Sequence, residues 1–491
     1  MPDKVALVCG EQRLTYAEVE AMANRLAQAL VANGVSRGDR VLLFLQNSVE
    51  LVVGIFATLK ANAVFVPVNH STKVDKLRFM AQDCRAAGMI TWQRQAKTAV
   101  SLQRTIPSLK TIVVVGDDVP DGCFSFAGIQ ETFGAERPFT QTIDQDLACL
   151  IYTSGSTGEP KGVMSAHSNV VFAASSIITY LQNQPDDIVL NVLPLSFDYG
   201  LYQLFMTFKF GGTLVLERSF AYPAAILKRI VAEKVTGFPL VPTIAAILLQ
   251  LDLSSYDFSN LRYLTNTAAA LSPSHITALQ EKFPTATLFS MYGLTETKRT
   301  LYLPPEQLAV RPGSVGIPIP GTEAWVEDEA GNRLGAGEIG ELVIRGGHVM
   351  RGYWERPDKS AERFRPGPIP GERLCYSGDL FRVDSEGYFY FVGRKDDIIK
   401  SRGEKVAPKE IENVLHGLSG VVETAVIGIP DPVLGEAIKA FVVVNDETLT
   451  EKDVLRFCRQ HLEDFMVPQQ IEFRSALPKS SNGKIAKKEL A

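Results

Sequence analysis

Apolar residues recur at helical spacing from Thr15 onward: Val19, Met22, Leu26 and Leu30 share one face, Thr15 and Glu18 form a capping box, and Gly34 ends the run. That pattern predicts an amphipathic helix, and the continuous apolar run Val41 to Leu45 predicts a buried strand behind it. The same alternation returns at Leu51 to Leu59 with Val64 to Val68, and at Ala224 to Ala232 with Val235 to Leu240. Helices alternating with fully apolar strands imply α/β layers built on parallel strands. From about Pro318 to Phe391 the texture changes to short strands punctuated by glycine turns (Gly331, Gly335, Gly337, Gly340, Gly346, Gly347, Gly378 and Gly387), which predicts a β-rich subdomain.

Beyond Gly393 the charged run Arg394-Lys395-Asp396-Asp397 leads into a segment with a helix near Pro408 to Leu415, strands at Val421 to Ile429 and Ile438 to Val444, and a helix capped by Thr450 with Asp453. Roughly a hundred residues suffice for an independent α+β lid. The expected organisation is a large N-terminal α/β domain over 1–395, with the β-rich subdomain at about 318–391, and a small mobile C-terminal domain over 396–491.

The chain has 491 residues, about three times the usual ~150 per domain, which excludes a single small binding module. Hydrophobic residues at 46%, charged residues at 21% and a net charge of −5 describe a globular enzyme and exclude a disordered chain or a strongly basic nucleic-acid binder. The apolar stretch Leu51 to Val68 is broken by Lys60, Asn62 and Pro67, so no membrane span is expected; the N-terminus, with Asp3, Lys4, Glu11 and Arg13, lacks a leader pattern, and a cytoplasmic location is expected. Cys9, Cys84, Cys123, Cys149, Cys375 and Cys458 lie far apart with no CxxC pair and read as reduced thiols; the dispersed histidines form no HExxH.

One loop carries candidate chemistry. Ile151-Tyr-Thr-Ser-Gly-Ser-Thr-Gly-Glu-Pro-Lys-Gly162 follows the apolar Leu147 to Leu150 and combines glycines, hydroxyls and a lysine. Glycine lets backbone N–H groups approach a phosphate closely, hydroxyls donate further hydrogen bonds, and lysine adds charge. The spacing does not fit GxxxxGK[ST], so the loop is not a Walker loop.

With Tyr292-Gly-Leu-Thr-Glu-Thr297, Tyr376-Ser-Gly-Asp-Leu380, Gly393-Arg-Lys-Asp-Asp-Ile-Ile-Lys400 and Pro478-Lys-Ser-Ser-Asn-Gly-Lys484, this loop resembles the adenylate-forming superfamily of acyl-CoA synthetases, nonribosomal peptide adenylation domains and luciferases. The motifs stand in the family's order from Leu14 to Lys484. The resemblance implies ATP and Mg²⁺ as cofactors and a two-step reaction, in which a carboxylate attacks the α-phosphorus of ATP and a thiol then captures the acyl group. It further implies a nucleotide site of Thr153, Ser154, Gly155, Ser156, Thr157, Gly158, Lys161, Tyr292 and Gly293, with Tyr292 stacked on adenine. Asp379 would grip the ribose hydroxyls with Arg394 beside it, Thr295 would touch the α-phosphate, and Glu296 would be both a catalytic residue and the magnesium ligand. Lys484 would be the catalytic lysine. Asp396 would be the hinge about which the small domain turns between half-reactions, bringing Ser401-Arg-Gly-Glu404 toward the thiol.

The segment Ser196-Phe-Asp-Tyr-Gly-Leu-Tyr-Gln203 bears on the acid. In amino-acid-activating members an aspartate after phenylalanine binds the substrate ammonium, and Asp198 stands there; a carboxylate offsets the desolvation of an ammonium in a dry pocket. Tyr199, Tyr202, Pro239, Leu264, Asn266, Met291 and Thr300 would complete a small apolar pocket. Leu195 to Phe205 and Tyr292 to Pro305, with Lys298 and Arg299, resemble most the free-standing enzymes that load L-proline onto a carrier protein. The favoured expectation is therefore an amino-acid adenylating ligase, charging the phosphopantetheine thiol of a separate carrier protein in trans, as a monomer or weak dimer. Three departures from the peptide-synthetase pattern, at Leu294, Asn62-Ala63 and Thr267-Ala-Ala269, keep an acyl- or aryl-CoA synthetase as the alternative.

Overall fold

The computed structural model describes residues 1–154, 160–267, 271–401, 404–431, 434–445, 448–479 and 485–490. Gly155, Ser156, Thr157, Gly158 and Lys484 lie outside the described residues, and Ser154 enters only as strand backbone.

Two sheets build the large domain. A seven-stranded sheet runs in the spatial order Phe124–Ser125, Thr111–Val115, Ala86–Trp92, Arg40–Phe44, Val64–Pro67, Leu147–Ser154, Pro160–Ala166. All its pairings are parallel except the last, which folds the glycine-rich loop's two flanks against each other. Its central strands are apolar runs rather than alternating patterns because both faces are covered.

The second sheet has Gln12–Thr15 at its edge, antiparallel to Val5–Cys9, and runs from Val5–Cys9 through Thr213–Leu216, Ile188–Asn191, Gly237–Leu240, Tyr263–Asn266 and Thr287–Tyr292, all parallel. It then turns antiparallel through Leu301–Leu303 and Ser314–Pro318. The expected β-rich region is present as antiparallel strands Thr322–Glu327, Ile339–Gly346, Arg373–Val383 and Phe389–Arg394. It does not stand alone: Ser314–Pro318 pairs with Phe389–Arg394 and welds it to the parallel half. Backbone hydrogen bonding that continues from strand to strand leaves no chemical mark in the sequence that would reveal this.

The helices Tyr16–Ala32, Val49–Lys60 and Asp198–Phe210 share one apolar core with both sheets, through Leu26, Leu30, Val52, Leu201 and Leu204 against Leu43, Phe65, Leu7 and Leu214. Thr15 caps the first helix in a capping box with Glu18, as its sequence predicts. The 3₁₀ turn Lys395–Asp397 separates the last strand of the large sheet from Ile399–Ser401, the first strand of a small five-stranded sheet. That sheet and the helices Pro408–His416 and Glu451–His461 enclose their own core of Ile399, Ile411, Leu415, Val426, Ile438, Val454 and Cys458. Thr450 and Asp453 form the expected capping box. Among the described residues no helix is long and apolar enough to cross a membrane.

Candidate active site

Strand Thr287–Tyr292 is the last parallel strand of the large sheet, and the chain reverses over residues 293–300 into antiparallel Leu301–Leu303. Ligands of open α/β sheets gather at such carboxyl ends. The reversal is tight: Thr300 N donates to Tyr292 O at 2.9 Å and Lys298 N to Leu294 O at 2.7 Å, with Lys298 in the left-handed region at φ 62°. Glycine at 293 is obligatory, since a Cβ there would lie 2.0 Å from Lys298 O.

Glu296 sits buried on this loop and accepts a 2.6 Å hydrogen bond from the Tyr353 hydroxyl on Oε1, with Arg363 Nε 3.9 Å away. Lys161 Nζ stands 5.5 Å from the centre of the Tyr353 ring, so the glycine-rich hairpin reaches the same residue from the other sheet. Backbone bonds from Met164 N to Gly352 O, Arg351 N to Met164 O and Trp354 N to Gly162 O hold that junction. Burial and the Glu296 carboxylate both raise the Tyr353 phenol, which therefore stays a donor.

Asp379 lies in strand Arg373–Val383, directly opposite Arg394 in the register. Its Oδ2 accepts from the Tyr292 hydroxyl at 2.6 Å and its Oδ1 from Arg394 Nε at 3.3 Å. Burial pushes this carboxyl above the ordinary aspartate range, while Arg394 and Tyr292 draw it back. Gly378 stands in the left-handed region at φ 67°, and a Cβ there would lie 2.5 Å from Arg363 Nη1 and push that guanidinium aside. Arg363 thus stands between Glu296 and Asp379, and although burial lowers its pKa, these anions and the neighbouring Cys375 and Tyr353 raise it on balance. The Tyr292 ring packs edge-on to Phe381 at 4.9 Å.

The acid-binding positions form a second cluster behind the loop. Asp198 occupies the first turn of helix Asp198–Phe210, and its Oδ1 accepts from Lys298 Nζ at 2.8 Å, with side chains only 7% and 1% exposed. A carboxylate already paired with a buried ammonium is not the open counter-ion that the sequence suggests for a substrate amine. Tyr199 donates to Thr265 O at 2.8 Å, and Thr300 Oγ1 is 2.7 Å from Thr297 Oγ1. Strand register divides the remaining pocket positions: Pro239 aligns with Thr265 and through it with Phe289, which shares Met291's face, whereas Leu264 and Asn266 align with Leu288 and Ser290 on the other face. Pro239 and Met291 therefore face the side of the sheet opposite to Leu264 and Asn266, and the four do not line one wall. All four are buried, as are Tyr199, Tyr202 and Thr300.

The structure thus brings together Glu296, Lys161, Tyr292, Gly293, Asp379 and Arg394, with Thr295 half-buried on the same loop and Thr153 opposite Lys161 in the hairpin. Asp396 lies exposed in the turn Lys395–Asp397. Sequence reasoning missed Tyr353 and Arg363. A phenol and a guanidinium on the 350–363 segment gave no local signal, because their partners lie 57 and 67 residues away in sequence.

A Mg²⁺ ion fits this donor set. Among the described residues no three His, Cys, Asp or Glu side chains cluster as a self-sufficient metal cage. A single buried carboxylate, Glu296, beside a lysine-bearing hairpin suits an ion that arrives with a triphosphate and keeps most of its other oxygen ligands.

The buried Glu296 beside the lysine-bearing hairpin, and Asp379 held between Tyr292 and Arg394, lie together at the carboxyl end of the parallel strands. Residues 1–354 match the AMP-binding enzyme family and residues 410–484 the AMP-binding enzyme C-terminal domain, so the chain belongs to this family. It is 34% identical over 495 residues to a feruloyl-CoA synthase of an Amycolatopsis species, covering 100% of this chain and 96% of that protein. It is 31% identical over 520 residues to a long-chain-fatty-acid–CoA ligase of Bacillus subtilis, covering 100% and 91%. The crystal structure of ATP-bound MatB from Rhodopseudomonas palustris superposes with a TM-score of 0.91 at 31% identity, covering 100% of this chain and 95% of that one. The protein is an AMP-forming ligase that uses ATP and Mg²⁺ to activate an acid.

Proposed function

We propose that the protein is an acyl- or aryl-CoA synthetase, the alternative reading of its sequence, rather than a proline:carrier-protein ligase. The observation that carries this reading is the closed Asp198–Lys298 pair at 2.8 Å, which spends the one carboxylate that an α-ammonium would need. The similarity to CoA-forming enzymes along the whole chain supports it.

In the first half-reaction a substrate carboxylate oxygen attacks the α-phosphorus of ATP, the bond to the bridging oxygen breaks, and pyrophosphate leaves with that electron pair. Mg²⁺ supplies charge neutralisation on the phosphates. Glu296 is oriented for that ion by Tyr353, and Arg363 keeps the neighbourhood of the two anions electrically balanced. Asp379, held between Tyr292 and Arg394, offers two carboxylate oxygens to the ribose hydroxyls. Thr153, Ser154, Gly155, Ser156, Thr157, Gly158 and Lys161 serve the phosphates, Thr295 the α-phosphate, and Lys484 bridges the acid and the nucleotide. In the second half-reaction the CoA sulfur attacks the acyl carbon, AMP leaves, and the thiol proton goes to solvent. The small domain beyond 395 turns about Asp396 between the steps.

The test is acid-dependent exchange of labelled pyrophosphate into ATP across the amino acids, fatty acids and aryl acids, followed by thioester analysis with CoA. Exchange with acids lacking an α-amine and a CoA thioester product are expected. Exchange with proline alone, and no thioester on CoA, overturns the reading in favour of carrier loading.

A further inference from the structure

Next to the closed pair lies a cation that is not closed. Arg299 is 3% exposed, its guanidinium carbon is 4.5 Å from the centre of the Tyr199 ring, and its Nη1 donates to Lys298 O at 3.2 Å. Its Nε is buried without a hydrogen-bond partner. Tyr202 is 1% exposed, and its hydroxyl is likewise buried without a partner. Tyr202 follows Tyr199 by three residues on helix Asp198–Phe210, so it stands one turn along the same helix face as the ring that Arg299 covers. Lys298 is matched by Asp198, and among the described residues no carboxylate lies within ion-pair distance of Arg299. Asp198, Lys298 and Arg299 together therefore carry one positive charge in excess, away from water, beside two unused donors. A buried charge is tolerated when paired, and a guanidinium pairs best with a planar carboxylate. The π face of Tyr199 offsets part of the charge but accepts nothing from Nε.

Resting on the acid–CoA ligase reading, we infer that the acid activated here carries a second carboxylate, seated on Arg299 Nε and the Tyr202 hydroxyl while the first reacts beside Glu296. Both anchors sit on short tethers. Glu296 and Arg299 are three residues apart in one closed loop, so their Cα atoms are separated by at most about 11 Å, which favours a short acid over a long one.

The experiment measures pyrophosphate exchange, with CoA thioester formation in parallel, on matched pairs of straight-chain mono- and dicarboxylic acids of three to six carbons, using the full chain. For the wild type, a preference for the diacid of at least ten-fold in kcat/KM at one chain length is expected. Arg299→Gln is expected to erase or reverse that preference by raising KM for the diacid more than for the monoacid of the same length, read as the ratio within the variant. Tyr202→Phe removes only the hydroxyl and is expected to lower the preference in the same direction by a smaller factor, so it decides the matter should Arg299→Gln fail to fold. Equal use of each pair by the wild type, or a preference unchanged in a folded variant, overturns the inference while leaving the ligase reading intact. Exchange with proline alone overturns that reading itself.

Discussion

Lys298 Nζ donates to Asp198 Oδ1 across 2.8 Å, closing an ion pair between a loop and a helix start one hundred residues apart. Lys298 is among the largest fully buried side chains of the protein, beside Tyr199 and Tyr202. Such a pair is costly to break and cheap to replace, because the desolvation of each charge is offset only by the other. Lys298→Met is therefore expected to lower stability by about 3–5 kcal/mol, and the double variant Asp198→Asn with Lys298→Met to recover a large part of that loss. Urea denaturation of the two single variants and the double variant checks this; additive losses would show that the pair is not coupled.

Tyr353 orients Glu296 through the 2.6 Å hydroxyl bond. Tyr353→Phe is expected to raise the Mg²⁺ concentration for half-maximal exchange, with a loss of roughly 10–100-fold at limiting Mg²⁺, as for other residues that orient a metal ligand. Chelation of Mg²⁺ is expected to stop exchange in both proteins. A Mg²⁺ titration that superimposes on the wild type's would remove Tyr353 from this role.

Lys484 follows Ser481-Asn-Gly at the end of the small domain. Lys484→Ala is expected nearly to abolish adenylate formation while thioester formation from supplied acyl-adenylate is less affected. Both half-reactions can be followed separately, by pyrophosphate exchange and by CoA consumption. Equal losses in the two assays refute the division of labour.

His348 gives the fold a pH dependence. Burial holds its imidazole down to about 3, against an ordinary value of 6.5, with Nε2 lacking a partner and the ring stacked on Phe172 at 5.7 Å. Between these values the unfolded chain binds a proton that the folded protein refuses, so stability is unaffected above pH 6.5 and falls as pH drops toward 3. At pH 5 the loss from this residue is roughly 2 kcal/mol. His348→Phe keeps a ring against Phe172, and its urea midpoint is expected to change less between pH 7 and pH 5 than the wild type's. His416, held down to about 4 mainly by burial, supplies part of the remaining slope. Identical slopes for wild type and variant would rule His348 out.

What the sequence determined by itself was local. The capping boxes at Thr15 and Thr450, the apolar runs that became parallel strands and the change of texture near Pro318 all depend on neighbours within a few residues, where propensity and side-chain spacing act. Glu296 and Asp379 were legible because their motifs carry a family resemblance. The tertiary structure decided what those residues meet. It alone set Tyr353 and Arg363 beside Glu296, joined the β-rich region to the parallel sheet, placed Leu264 and Met291 on opposite faces, and closed Asp198 against Lys298. The identity of a side chain states that it carries a charge; only packing, which removes water and fixes the partner, states whether that charge remains to be used on a substrate.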